Sequence, residues 1–171
     1  MPLLHHAVLR LAEIAGDVVV SIAPGAVEPT MPPGAPVRFV RDARQGEGPL
    51  AGAAAGLASV ARDLTVVAGG DMPDLSTPVV LHMLEVALQA EVDAVVLQDD
   101  DRFRPLPVVV RTGPGRETAH ALLHRGERSL RGWLQAMRVA IIAESTWTSL
   151  DPTRATLRDV DLPGDLDRAG D

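Results

Sequence analysis

The chain has 171 residues, with 16 basic side chains, all arginine, against 23 acidic ones, a net charge of -7, and no Lys, Asn, Tyr or Cys. Without cysteine there is no disulfide framework, thiolate metal site or thiol nucleophile, and the acidic balance argues against nucleic-acid binding. No apolar run approaches a membrane span and no secretory leader opens the chain, so a cytoplasmic protein is expected, folded as one domain over residues 1–171.

Leu3, Leu4, Ala7, Val8, Leu11 and Ile14 recur at helical spacing, which predicts a helix over residues 2–15 with Gly16 after it. The β-branched run at residues 18–22 reads as a buried strand. Five prolines and two glycines make residues 23–36 a loop, and a second strand covers 37–40. Pro49 suits the first position of an Ala-rich helix reaching about Arg62. A strand at 64–68 leads into Gly69-Gly70-Asp71-Met72-Pro73, and Thr77 opens a helix with Val80, Leu81, Leu84 and Leu88 expected on one face. Strands follow at 94–97 and 106–110 around a turn at 98–102, then helices at 116–124 and 129–137, a strand at 139–143 and a short helix at 159–169. Short buried strands alternating with helices predict an α/β fold, its mixed or parallel sheet covered on both faces.

In such sheets ligands gather at the carboxyl ends of strands. Two loops take that place. In Gly48-Pro49-Leu50-Ala51-Gly52, entered from Asp42, the glycines allow close approach and the helix start offers N–H donors to an anion. The same residues also suit a plain Pro-initiated helix packed on the sheet. Asp71 is a hard oxygen ligand for Mg²⁺ at a strand end, or a carboxylate that satisfies turn backbone. Asp159 and Asp161 stand before a helix start, as a further metal ligand or as charges favoured by the helix dipole. Asp99, Asp100 and Asp101 read as a solvated hairpin turn, and Arg125, Arg128 and Arg131 as a helix surface covered by aliphatic stems. His120 and His124 have zinc-compatible spacing without a third ligand motif. Ser76, Ser129 and Ser145 lack a nucleophile elbow.

Taken in order, Asp42, Gly48-Pro49-Leu50-Ala51-Gly52, Gly70-Asp71-Met72-Pro73, Phe103-Arg104-Pro105-Leu106-Pro107, Gly126-Glu127-Arg128-Ser129-Leu130 and Asp159-Val160-Asp161-Leu162-Pro163-Gly164-Asp165-Leu166 resemble one family. It is that of the molybdenum cofactor guanylyltransferases and related nucleotidyltransferases. The resemblance implies a Rossmann-like three-layer α/β/α fold with a mixed sheet. It implies transfer of a nucleoside monophosphate from GTP or CTP, GTP favoured, to a phosphate of molybdopterin, with Mg²⁺ and release of pyrophosphate. On this basis Asp71 would hold the metal. Asp42, Gly48, Pro49, Leu50 and Gly52 would lie against the nucleotide, and Asp161 would close the other side as a second ligand or a pterin contact.

The family pattern opens with a strand and a glycine-rich loop, L-A-G-G-x-S-x-R-M-G-x-D-K, whose Lys and Arg neutralise the triphosphate. Met1-Pro2-Leu3-Leu4 matches the segment just after it, and the chain has no Lys. The resemblance therefore implies a domain shortened at its start, with unpaired strand edges where the first strand would lie. Three readings compete: a transferase whose start lies further upstream, a catalytically incomplete binding or regulatory relative, and a transferase for another phosphorylated acceptor such as phospholactate in coenzyme F420 synthesis.

Overall fold

The computed structural model describes residues 2–42 and 46–158. Strands β1 (Val18–Ile22) and β2 (Val37–Arg41) pair in parallel, with Val18 opposite Val37 and Ile22 opposite Arg41. A second sheet runs in the order β3 (Leu64–Val67), β5 (Arg102–Arg111), β4 (Ala94–Asp99), β6 (Val139–Ile142). β5 is antiparallel to β3 and β4, while β4 and β6 are parallel.

The second sheet is apolar on both faces, so both must be covered. On one face Val96, Val108 and Val110 meet Leu50, Ala54 and Leu57 of α2 (Pro49–Ala58), Ala119 of α4 (Thr112–His124) and Trp133 of α5 (Leu130–Gln135). On the other, Val95, Leu97 and Val109 meet Val79, Met83 and Ala87 of α3 (Thr77–Gln89) and Trp147 of α6 (Glu144–Leu150). Helix α1 (Leu3–Ala12) touches β1, and Glu13 just beyond it accepts a 2.7 Å hydrogen bond from the Thr77 hydroxyl at the start of α3. The expected three-layer α/β/α arrangement is present. Among the described residues no helix is long and apolar enough to cross a membrane.

The central layer is in two pieces. Val18 N–H donates to Pro36 O and Asp42 N–H to Ile22 O, so the alternate residues Val19 and Ser21 turn their amides away from β2. Thr112 N–H donates to Asp63 O, which turns the amides of Leu64 and Val66 away from β5. Among the described residues no backbone hydrogen bond joins β1 to β3. Helix α2 spans the break, touching β1 and β2 while its buried Leu50, Ala54 and Leu57 pack into the core over β4 and β5.

Several expectations need correction. Helix α3 buries Val79, Val80, Met83 and Ala87, whereas Leu81 is 51% and Leu88 71% exposed. Nine of the thirteen positions of this helix, Pro78 included, are apolar, so two overlapping stripes compete, and the one with small Ala87 lets the helix approach the sheet. Strand β5 starts at Arg102, well before residue 106. It tolerates Pro105 and Pro107 because β3 pairs only with Val108–Arg111 and the ladder with β4 shifts register between Val95 and Leu97, so neither proline stands opposite a paired residue. Helix α2 ends at Ala58, short of Arg62. Helix α6 and a 3-10 turn at Ala155–Leu157 were not anticipated, because Glu144–Leu150 lacks an apolar period and is anchored through Trp147 alone. The helix expected at 159–169, with Asp159 and Asp161, lies outside the described residues.

Candidate active site

The Gly48 turn precedes α2. Gly48 has φ 78 and ψ 180, a conformation essentially restricted to glycine. A methyl group there would meet Arg128 O at 3.1 Å and Arg128 Cβ at 3.2 Å. The close approach lets Leu50 N–H donate to Arg128 O at 3.2 Å, which joins two sequence blocks far apart in the chain. Ala51 N–H donates to Gly48 O. The helix start therefore spends the N–H groups of Leu50 and Ala51 on protein carbonyls, and Pro49 has none to offer an anion. Leu50 is fully buried in the core, so its side chain cannot reach a ligand. Gly52 packs over Ser21 and Asp42, and the Asp42 carboxylate accepts the Ser21 hydroxyl at 2.5 Å.

The Asp71 turn follows β3. Met72 and Leu75 are buried and fix it, with Met72 N–H donating to Gly69 O at 3.2 Å and Gly69 N–H to Met72 Sδ at 3.4 Å. Asp71 stays exposed. Its carboxylate folds over Gly69, into the place a side chain at that position would fill.

Asp71 and Pro49 face an open groove of about 1180 Å³. Its opposite wall is the β4–β5 hairpin and the turn before α5. The wall brings together Asp99, Asp100, Asp101, Arg102, Phe103 and Arg104, with Glu127, Arg128 and Arg131 from the turn and the start of α5. Arg131 lies over the Phe103 ring, 4.5 Å from its centroid, and donates to Phe103 O at 3.3 Å. Arg128 donates to Leu123 O and Glu127 O. Glu127 receives the N–H groups of Ser129 and Arg128, each at 2.8 Å. Those of Ser129, foremost, hold its carboxyl below the usual carboxylate range. Ser129 caps α5 by accepting Gly132 N–H at 3.0 Å. The groove thus carries five carboxylates (Asp71, Asp99, Asp100, Asp101, Glu127) against four guanidinium groups (Arg102, Arg104, Arg128, Arg131).

The structure brings Asp71, Pro49 and Gly48 to this groove or its rim. Asp42 and Gly52 lie behind it, under the Gly48 turn and against β1. The hairpin carboxylates and Arg128 and Arg131, read as solvated surface, line the groove instead. Their one sequence signal was the clustering of Arg with Phe103 and the turn-forming Gly126. Among the described residues no three His, Cys, Asp or Glu converge into a metal cage. The donor set still suits Mg²⁺, which is commonly held by one or two carboxylates and otherwise by substrate phosphates and water.

A mixed sheet between helical layers, with a carboxylate turn and an arginine wall at one groove, defines an α/β protein with the nucleotidyltransferase fold. The MobA-like NTP transferase domain model matches residues 1–140, and the chain belongs to that family. The molybdenum cofactor guanylyltransferase of Shewanella amazonensis is 33% identical over 97 residues, 56% of this chain and 48% of that protein. The chain thus spans about half the length of that curated relative. Its fold is similar to molybdopterin-guanine dinucleotide biosynthesis protein A from Archaeoglobus fulgidus (TM-score 0.66, 24% identity, 77% of this chain and 66% of that one). It is also similar to 2-C-methyl-D-erythritol 4-phosphate cytidylyltransferase from Thermus thermophilus (TM-score 0.71, 22% identity, 98% and 86%).

Proposed function

We propose that this chain transfers a nucleoside monophosphate from a triphosphate, GTP favoured, to a phosphate of a molybdopterin-like acceptor in the cytoplasm, releasing pyrophosphate. The observation that carries the reading is the groove itself, with the exposed Asp71 carboxylate on one side and four arginines on the other. Attack of one phosphate on another is opposed by like charge, so such a site works by positioning the groups and neutralising them. Asp71 would hold Mg²⁺, aided by Asp161, and the metal would supply charge neutralisation at the nucleotide phosphates. Arg104, Arg128 and Arg131 orient the acceptor phosphate, and the Phe103 ring gives the wall an apolar surface for the body of the acceptor. Pro49 and the Gly48 turn shape the groove on the nucleotide side, with Asp42 and Gly52 supporting that turn from behind.

The likeness to a cytidylyltransferase keeps CTP and other phosphorylated acceptors, phospholactate among them, as substrates to compare. A second reading has its own support. The break between β1 and β3 favours a relative that binds ligands without completing the transfer. Pyrophosphate release from GTP and from CTP, each offered molybdopterin or phospholactate with Mg²⁺, tests the proposal. Turnover with GTP and molybdopterin is expected. Binding without pyrophosphate in every combination would establish the second reading instead.

A further inference from the structure

Asp99 and Asp100 put negative charge at the hairpin end of the groove wall, where an incoming phosphate meets repulsion unless a nearby cation offsets it. Arg154, behind the β4–β5 hairpin, stands where such a cation is needed. Its guanidinium pairs with Asp99 at 2.6 Å and with Glu144, and lies over the Trp147 ring, 5.3 Å from the centroid. Glu144 in turn accepts the Asp100 N–H at 2.7 Å, and Trp147 Nε1 donates to Gln98 O at 2.7 Å. Three successive hairpin residues, Gln98, Asp99 and Asp100, are thus held from the α6 side. Arg154 sits in the left-handed region, φ 57 and ψ 24, which disfavours a side chain. A strained non-glycine residue that makes two ion pairs and a ring contact points to a role for its side chain.

We propose that Arg154 is a positioning residue that neutralises Asp99 from behind the hairpin, making the groove wall receptive to the acceptor phosphate. The proposal rests on the reading of the groove given above. Without Arg154 the Asp99 charge faces the incoming phosphate with only Arg104, 3.7 Å away, as an ion-pair partner among the described residues. With Arg154 in place Asp99 is balanced from behind.

Calorimetric titration of the full chain with inorganic phosphate tests this, using Arg154→Gly, Asp99→Asn and the double variant. Glycine suits the backbone at 154, so the first variant removes the side chain without adding strain. Phosphate affinity should fall about fivefold in Arg154→Gly, the scale of one partly exposed charge pair. It should return to within about twofold of wild type when Asp99→Asn is added, and Arg154→Lys should retain most of it. A merely structural Arg154 would leave the double variant as weak as the single one, and that result would overturn the proposal. So would undiminished binding in Arg154→Gly, or no phosphate binding by the wild type. If Arg154→Gly does not fold, Asp99→Asn alone decides, since it must bind phosphate at least as well as wild type. In transfer assays Arg154→Gly should raise the KM for the acceptor with kcat and the nucleotide KM nearly unchanged. The phosphate pattern without any transfer would remove the proposed function and leave this inference standing.

Discussion

The main-chain N–H of Leu50 donates to the main-chain carbonyl of Arg128 at 3.2 Å, so the turn that starts α2 and the turn that starts α5 form one rim of the groove. This contact requires the two backbones to approach as closely as Gly48 allows. Gly48→Ala meets both a glycine-only backbone conformation and Arg128 O at 3.1 Å. A stability loss of about 1–3 kcal/mol is expected in urea denaturation. Acceptor KM should rise with it, because Arg128 moves.

Gly69→Ala should act differently. Its methyl group would take the space of the exposed Asp71 carboxylate and stand 3.3 Å from Met72 Cγ, so the carboxylate yields first and Met72 need shift only by a few tenths of an ångström. The carboxylate itself must turn away. Magnesium-dependent nucleotide affinity should drop by about 10- to 100-fold, the range for residues that orient a metal ligand. The thermal midpoint should stay within a few degrees of wild type, which calorimetry checks.

Much of the architecture was legible in the sequence for simple reasons. The β-branched run Val18–Ile22 and the proline-rich stretch after it allow few alternatives, and β1 and the loop fall where expected. Pro49 fixes the start of α2 and Thr77 with Pro78 that of α3. What was not legible depends on tertiary neighbours. The buried stripe of α3 is chosen by the sheet it meets, since Leu81 and Val80 are equally apolar to a periodicity argument. The same holds for the groove. Asp99 and Arg131 look like ordinary surface residues until β4 and β5 form a hairpin and α5 is laid beside it. The hook of α6 was invisible because one tryptophan, with no apolar repeat, anchors it.

That hook gives a prediction. Trp133 and Trp147 are both fully buried, donating to Gly115 O at 3.0 Å and to Gln98 O at 2.7 Å. Native tryptophan emission should therefore be blue-shifted and should move red in one step on unfolding. Trp147→Phe keeps an aromatic ring but removes the donor to Gln98, costing about 1–2 kcal/mol. It should also raise the acceptor KM, since the hairpin tip is released, whereas Trp133→Phe should affect stability alone.

The carboxylate of Asp151 carries a pH dependence. It is 6% exposed, and burial pushes its carboxyl upward. The N–H of Thr156 at 2.8 Å and the hydroxyls of Thr153 and Thr156, each at 2.7 Å, outweigh this and hold it below the usual range. A carboxyl lowered on folding contributes its full stabilisation above the unfolded value of about 3.9 and loses it as pH falls through the folded value. Asp151→Ala should cost about 1–3 kcal/mol at neutral pH, with Thr156 N–H left buried and unpaired. The gap between variant and wild type should narrow as the pH is lowered below about 4 in denaturation curves.

The account stands most directly on Asp71. The decisive measurement is pyrophosphate release from GTP and molybdopterin, at fixed Mg²⁺, by wild type and Asp71→Asn side by side, with thermal midpoints recorded. The account predicts turnover by the wild type, a loss of at least about 100-fold in Asp71→Asn, and unchanged thermal stability, because the side chain is exposed and acts on charge developing in the transfer. Equal turnover by both proteins would contradict it.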